Sequence, residues 1–156
     1  MRKLAIPGAI AGITFVLSAT ALMRAAHPND RALEAKHPLT RTVWDSVYSA
    51  SQATRGESLY VKSCARCHKA SLGGADESSP LVGSGFLGNW NALPLSDLSD
   101  RIRKTMPSDS VGIYDRQLVV DVMAYLLKMN GFPAGETDLP KDLDRLKDIT
   151  IVATKP

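Results

Sequence analysis

Two cysteines, a histidine and a run of methionines carry the chemistry in this chain. Cys64-Ala65-Arg66-Cys67-His68 reads C-x-x-C-H, the spacing that attaches a c-type haem. The thiols of Cys64 and Cys67 add across the two porphyrin vinyl groups, and the two residues between them make the turn that spaces the sulfurs. His68 follows directly and supplies an imidazole nitrogen to the iron. Three other readings of C-x-x-C fit less well. A thioredoxin-like redox pair needs strand-rich flanks, which are missing. A zinc site needs further ligands, but there is no third cysteine, and His27 and His37 lie far upstream in a polar stretch. A disulfide closing so tight a loop is an unusual staple. Both cysteines are therefore assigned to one covalent haem.

A haem iron with one histidine needs a sixth ligand or leaves a site open. No histidine follows His68, so the downstream candidates are Met106, Met123 and Met129. Met123 and Met129 fall within a strongly apolar helical pattern and read as core filler. Met106 precedes Pro107-Ser108-Asp109-Ser110, where a methionine has little packing reason to be, so Met106 is the expected axial ligand with His68. His/Met ligation raises the potential and leaves no open position, which favours electron transfer over chemistry at the iron. The residues between the two ligands supply an apolar lining of Leu81, Val82, Phe86, Leu87 and Trp90. Trp90 has two roles open to it: an indole N–H donated to a haem propionate, or plain packing.

The elements that position these groups read as helices. Ser51 to Val61 forms one, with Ser51 as N-cap and Gly56, Leu59 and Tyr60 on one face. Leu95 to Thr105 forms another, with Ser96 as N-cap, acids in the first turn and Arg103 and Lys104 in the last. It should stop before Pro107, which biases Met106 toward extended backbone. Tyr114 to Asn130 is the strongest: Leu118, Val122, Tyr125, Leu126 and Met129 make one stripe and Val119, Met123 and Leu127 a second. Asp115 can cap it, and Gly131 and Pro133 end it. Trp44 and Tyr48, at i,i+4 spacing, predict a short amphipathic helical turn. Residues 69–94, rich in Gly, Ser and Pro, read as one long loop. The tail after 131 reads as a short helix and an extended piece wrapping the body. No alternating run is long enough for a sheet.

The chain has 156 residues, enough for one small domain and an export segment. Arg2 and Lys3 precede an apolar stretch from Leu4 to Met23, and Ala19-Thr20-Ala21 offers a cleavage pattern after Ala21. Residues 1–21 thus read as a signal peptide, or residues 4–23 as an uncleaved anchor long enough to span a bilayer. Both place the haem motif outside the cytoplasm. Residues 22–50 read as a linker or N-terminal extension, 51–131 as the haem domain and 132–156 as its tail. The formal charge is +3; cleavage after residue 21 removes Arg2 and Lys3 and leaves +1, which excludes nucleic-acid binding on electrostatic grounds. Lys62, Arg66, Lys69, Arg101, Arg103 and Lys104 flank the ligand segments. They either steer an acidic partner toward the haem edge or form an ordinary solvated surface with the interleaved Asp76, Glu77, Asp97 and Asp100.

With these residues in hand, the chain resembles the class I c-type cytochromes over roughly Ser51 to Gly131. The carriers of the resemblance are Gly56 and Tyr60, Cys64 to His68, Pro80-Leu81-Val82-Gly83, Thr105-Met106-Pro107 and Ala124-Tyr125-Leu126. The resemblance implies an all-α fold, a small class I cytochrome c fold packed around one covalent haem. It also implies that Gly56 and Tyr60 cross the last helix near Tyr125, and that the carbonyl of Pro80 accepts a hydrogen bond from His68, which would orient the ring. Val43 to Tyr48, Gly85 to Trp90 and Asn130 to Gly135 are similar to bacterial periplasmic monohaem cytochromes and to haem domains associated with PQQ-dependent dehydrogenases. That likeness implies a periplasmic carrier between a dehydrogenase donor and an oxidase or another cytochrome. A fixed, membrane-anchored electron-entry subunit is the alternative, and a gas sensor or peroxidase a more distant one. One departure is the segment after Met106, where Ser110-Val111-Gly112 replaces the Pro-Gly often found in the family.

Overall fold

The computed structural model describes residues 41–156; the segment 1–21, the apolar stretch 4–23 and most of the expected linker 22–50 lie outside the described residues. Six helices and two two-residue strands follow in order: β1 (Arg41–Thr42), α1 (Ala50–Ser63), α2 (Ala65–His68), α3 (Gly83–Trp90), α4 (Leu95–Thr105), α5 (Arg116–Met129), α6 (Leu143–Lys147) and β2 (Ile149–Thr150). The fold is all-α, as the periodicity predicts. Among the described residues no helix is long and apolar enough to cross a membrane.

The centre of the fold is the crossing of α1 and α5. The middle of both α5 stripes is buried, from Val119 to Leu127 without interruption, because α1 packs on one side of it and α4 on another; Leu118 and Met129, near the helix ends, are exposed, so Met129 is not the core filler its spacing suggests. The close approach falls at Gly56: a Cβ there would overlap the backbone carbonyl of Asp121, so only glycine lets the two backbones meet. One turn later Tyr60 packs against Tyr125, ring centroids 5.3 Å apart. Helix α5 starts at Asp115, whose carboxylate accepts from the backbone N–H of Leu118 at 2.9 Å. It ends at Gly131, where φ is +82°. The N–H groups of Gly131 and Phe132 return to the carbonyls of Lys128 and Leu127, a Schellman closure that needs the left-handed residue.

Several local expectations are corrected. Helix α1 is capped by Ser49, whose hydroxyl accepts from the N–H of Gln52 at 3.0 Å; Ser51 is already helical. Helix α4 begins after Pro94 with no side-chain cap, and Ser96 is buried in its first turn. Residues 43–48 are not helical. Their i,i+4 aromatics reach outward to the tail: Trp44 Nε1 donates to the carbonyl of Val152 at 2.8 Å, and Tyr48 donates its hydroxyl proton to the carbonyl of Phe132 at 2.7 Å. Trp44 also meets the Phe132 ring edge-on at 4.9 Å. Residues 69–94 contain a helix, α3, whose three glycines and asparagine conceal it from propensity. It forms because Phe86 is buried in the core and because Asn130 holds its start. Asn130 Oδ1 accepts from the N–H of Gly83, and its Nδ2 donates to the carbonyl of Leu81.

The tail gives the short helix and extended piece expected of it, and adds a pairing. β2 runs parallel to β1, with Arg41 opposite Ile149 and Thr42 opposite Thr150. On its other side the tail exchanges backbone hydrogen bonds with residues 92–93: Ala92 N–H to the Ile151 carbonyl at 2.8 Å and Ile151 N–H to the Leu93 carbonyl at 2.9 Å. Val43, Val47, Tyr48, Phe132, Leu139, Leu146, Ile149 and Ile151 are all buried in the same core as α1 and α5.

Candidate functional site

Helix α1 delivers the motif. Cys64 is its C-cap, with its N–H on the carbonyl of Tyr60 at 2.8 Å. The chain then makes one further helical turn, α2, in which the N–H groups of Cys67 and His68 both return to the Cys64 carbonyl, at 3.2 and 3.0 Å. This turn places the two sulfurs and the imidazole within one short element. Lys69 leaves it in the left-handed region, φ 65°. Tyr60 fixes that exit by donating its hydroxyl proton to the Lys69 carbonyl at 2.7 Å. Tyr60 therefore packs the helix crossing with its ring and ties down the end of the motif with its oxygen, and burial pushes its phenol well above the usual range.

A cleft of about 650 Å³ opens beside this element, within the usual size of a small-molecule or cofactor site. Cys64, Cys67 and His68 line it, Met106 lines it from α4, and Pro80 and Trp90 line it from the segment between. Leu98, Ile102, Val122 and Leu126 supply apolar wall from α4 and α5. The structure thus brings all six sequence-predicted residues to one cavity. Both thiols are free. Burial, and next the neighbouring Cys67, raise the Cys64 thiol above its ordinary value, while the Arg66 charge pulls the other way.

His68 shows how its ring is oriented. Its Nδ1 lies 2.9 Å from the carbonyl oxygen of Ser79. A carbonyl only accepts, so Nδ1 carries the proton and Nε2 keeps its lone pair for a metal. The resemblance puts this bond on the carbonyl of Pro80; the structure puts it one residue earlier. The Pro80 ring instead packs at the cleft, close enough to Gly85 that a Cβ there would meet its Cγ at 2.5 Å. The turn that aims Ser79 is held by two short bonds, Ser78 N–H to Ala75 O at 2.8 Å and Leu81 N–H to Leu72 O at 2.8 Å. Sequence spacing alone does not choose between adjacent carbonyls.

Met106 is the C-cap of α4, with φ −126° and ψ 147°. Its N–H still bonds back to Ile102 at 2.9 Å, so the helix carries the residue up to the cleft and Pro107 keeps it from winding further. Beyond it Asp109 forms an ion pair with Arg66, from inside the cysteine motif. The Arg66 hydrogen bond holds the Asp109 carboxyl below the usual carboxylate range. Nothing in the sequence signals this pair, because the partners are 43 residues apart. Trp90 packs on Phe86, ring centroids 6.3 Å apart. Of the basic residues near the ligand segments, Lys104 is paired with Asp100 within its own helix.

The residues fit a covalently attached haem: two thiols, an imidazole with its second nitrogen already engaged, and a thioether share one apolar-walled cleft. Residues 51–126 match the family model described as cytochrome C oxidase, cbb3-type, subunit III. Among solved structures, the sulfane dehydrogenase SoxCD from Paracoccus pantotrophus is similar at 21% identity and a TM-score of 0.49, over 84% of this chain and 68% of that one. No curated protein matches the chain.

Proposed function

Residues 51–126 being a class I c-type cytochrome domain, and so a domain for electron transfer, we propose that the protein is a periplasmic monohaem carrier of single electrons. The observation that carries this reading is the sharing of one cleft by Cys64, Cys67 and His68 on α1–α2 and Met106 at the end of α4. The bound haem supplies a reversible one-electron couple. Cys64 and Cys67 would hold it by two thioether bonds. His68, its ring fixed by Ser79, would hold the iron through Nε2, and Met106 would hold it through its sulfur. With His68 and Met106 both on the iron, no substrate could bind there, and the site would be limited to electron transfer. Trp90 is the candidate partner for a propionate, and Pro80 is cleft wall.

The donor in this reading is a dehydrogenase, a PQQ-dependent one by the resemblance of residues 43–48, 85–90 and 130–135. The acceptor is an oxidase or another cytochrome. Residues 1–21 act as a cleaved signal, 51–131 as the haem domain and 132–156 as its wrapping tail. A second reading, a fixed electron-entry subunit held by an uncleaved 4–23 segment, is favoured by the description of the matching family as an oxidase subunit. The mass of the mature N-terminus decides between them: a start after Ala21 supports the carrier, an intact Met1 the anchored subunit.

The ligand set is tested by the optical spectrum of the reduced holoprotein with and without CO. The wild type should be low-spin and indifferent to CO, and Met106→Ala should bind CO and lower the potential. A wild type shifted by CO overturns the six-coordinate carrier and points to the sensor or peroxidase.

A further inference from the structure

The segment that follows Met106 is weakly attached to the fold. Ser108 to Ile113 are all exposed, Val111 and Ile113 by 54% and 59%. Inside the segment the Ser110 N–H bonds to the Pro107 carbonyl. Among the described residues, one polar contact joins Pro107–Ile113 to another part of the structure: the ion pair between Asp109 and Arg66. Its position is unusual in one respect. Arg66 lies between the two cysteines on α2 and lines the cleft, and Asp109 lies three residues beyond Met106, so the pair ties the cysteine motif to the segment that follows Met106.

We propose that Arg66 and Asp109 form a latch that positions Met106, setting how often its sulfur leaves the iron. The inference rests on the reading of Met106 as the sixth ligand. Both partners are about half exposed, 55% and 50% at the side chain, so their attraction is modest and screened by salt. A modest contact is what a labile position needs. It biases the ligand toward the bound arrangement without locking it, and the bias is set by ionic strength as well as by sequence. Releasing the latch frees a segment with no buried side chain to hold it, while the scaffold of α4 and α5 stays in place.

The test is imidazole binding to the ferric holoprotein, followed by its optical spectrum at low and high salt. Asp109→Asn should tighten apparent imidazole binding by about two- to fivefold at low salt, the range a surface ion pair can supply. Raising the salt should move the wild type toward that value and leave Asp109→Asn unmoved. Arg66→Gln should match it, and the exchanged pair Arg66→Asp with Asp109→Arg should restore wild-type binding. An Asp109→Asn protein that binds imidazole as the wild type does overturns the latch, as does an exchanged pair that folds and fails to restore it. Met106→Ala separates the two readings. If it opens the iron while Asp109→Asn does not, the latch fails alone. If it binds imidazole no better than the wild type, the ligand assignment fails and takes the latch with it.

Discussion

The two sides of the cleft are built in opposite ways. On the α1–α5 side the backbones meet at Gly56 and Asp121, Tyr60 and Tyr125 fill the next layer, and nine consecutive residues of α5 are buried. A polar cluster also seals that side. Arg55 donates to both oxygens of Asp121, at 3.1 and 3.2 Å, and to Asp138 at 2.6 Å, and Gln117 Nε2 adds a bond to Asp121 at 3.0 Å. Asp121 is 4% exposed, and a carboxylate buried without such hydrogen-bond partners is costly. On the Met106 side residues 108–113 are exposed, and the segment has the Arg66 pair as its outside polar contact among the described residues. His68 therefore follows a helix crossing that resists change, and Met106 borders a segment that tolerates it. A low-stability element is where a protein can place exchange or adjustment without unfolding.

The comparison breaks most readily at Gly56. Gly56→Ala should cost about 3 kcal/mol or more, or prevent folding, because a Cβ has only Asp121 backbone to displace; urea denaturation of the holoprotein measures it, and a loss under 1 kcal/mol would mean the crossing is looser than described. Tyr48→Phe removes the bond to the Phe132 carbonyl and leaves that acceptor unpaired in the core, for about 1–2 kcal/mol by the same assay. A smaller, pH-dependent effect is expected at Asp138. Ser49, then Arg55, hold its carboxyl below the ordinary value of 3.8. A depressed folded value stabilises above the unfolded one and is lost as pH falls through the folded one. Wild type should thus exceed Asp138→Asn in stability at pH 7, with the gap shrinking as the pH drops below 3.8; a gap independent of pH would remove the carboxylate from the cause. Ile113→Ser, on the open side, should change stability by no more than about 0.5 kcal/mol in thermal unfolding.

The two sides also differed in how far the sequence revealed them. C-x-x-C-H and the methionine before Pro107 are local statements about chemistry, and all six named residues line one cleft. Helix α5 follows from its stripes, and α4, to the residue, from its end charges and the proline beyond Met106. What escaped were contacts whose partners are distant. Ser49 outcompetes Ser51 as cap because the extended backbone that a cap requires falls two residues earlier. Helix α3 lacks propensity and owes its start to Asn130, 47 residues from Gly83. The aromatic spacing at Trp44 and Tyr48 imitates a helix, yet serves hydrogen bonds to Val152 and Phe132. The partner of His68 moved by one carbonyl, a difference that only the path of the turn decides.

The parallel pairing of β1 with β2 makes the described fold nearly a closed ring. Arg41, where the described chain begins, sits beside Ile149, seven residues before its end. In a chain shortened to residues 41–156, joining Pro156 to Arg41 by a short peptide would thus ask little loop-closure entropy, and fresh termini could be cut elsewhere, the exposed tip near Gly112 being the natural place. Such a permuted chain keeps all six described helices. It also turns the segment after Met106 from a connection into two loose ends. The order of the chain, rather than any side chain, would then set how freely that side of the cleft moves.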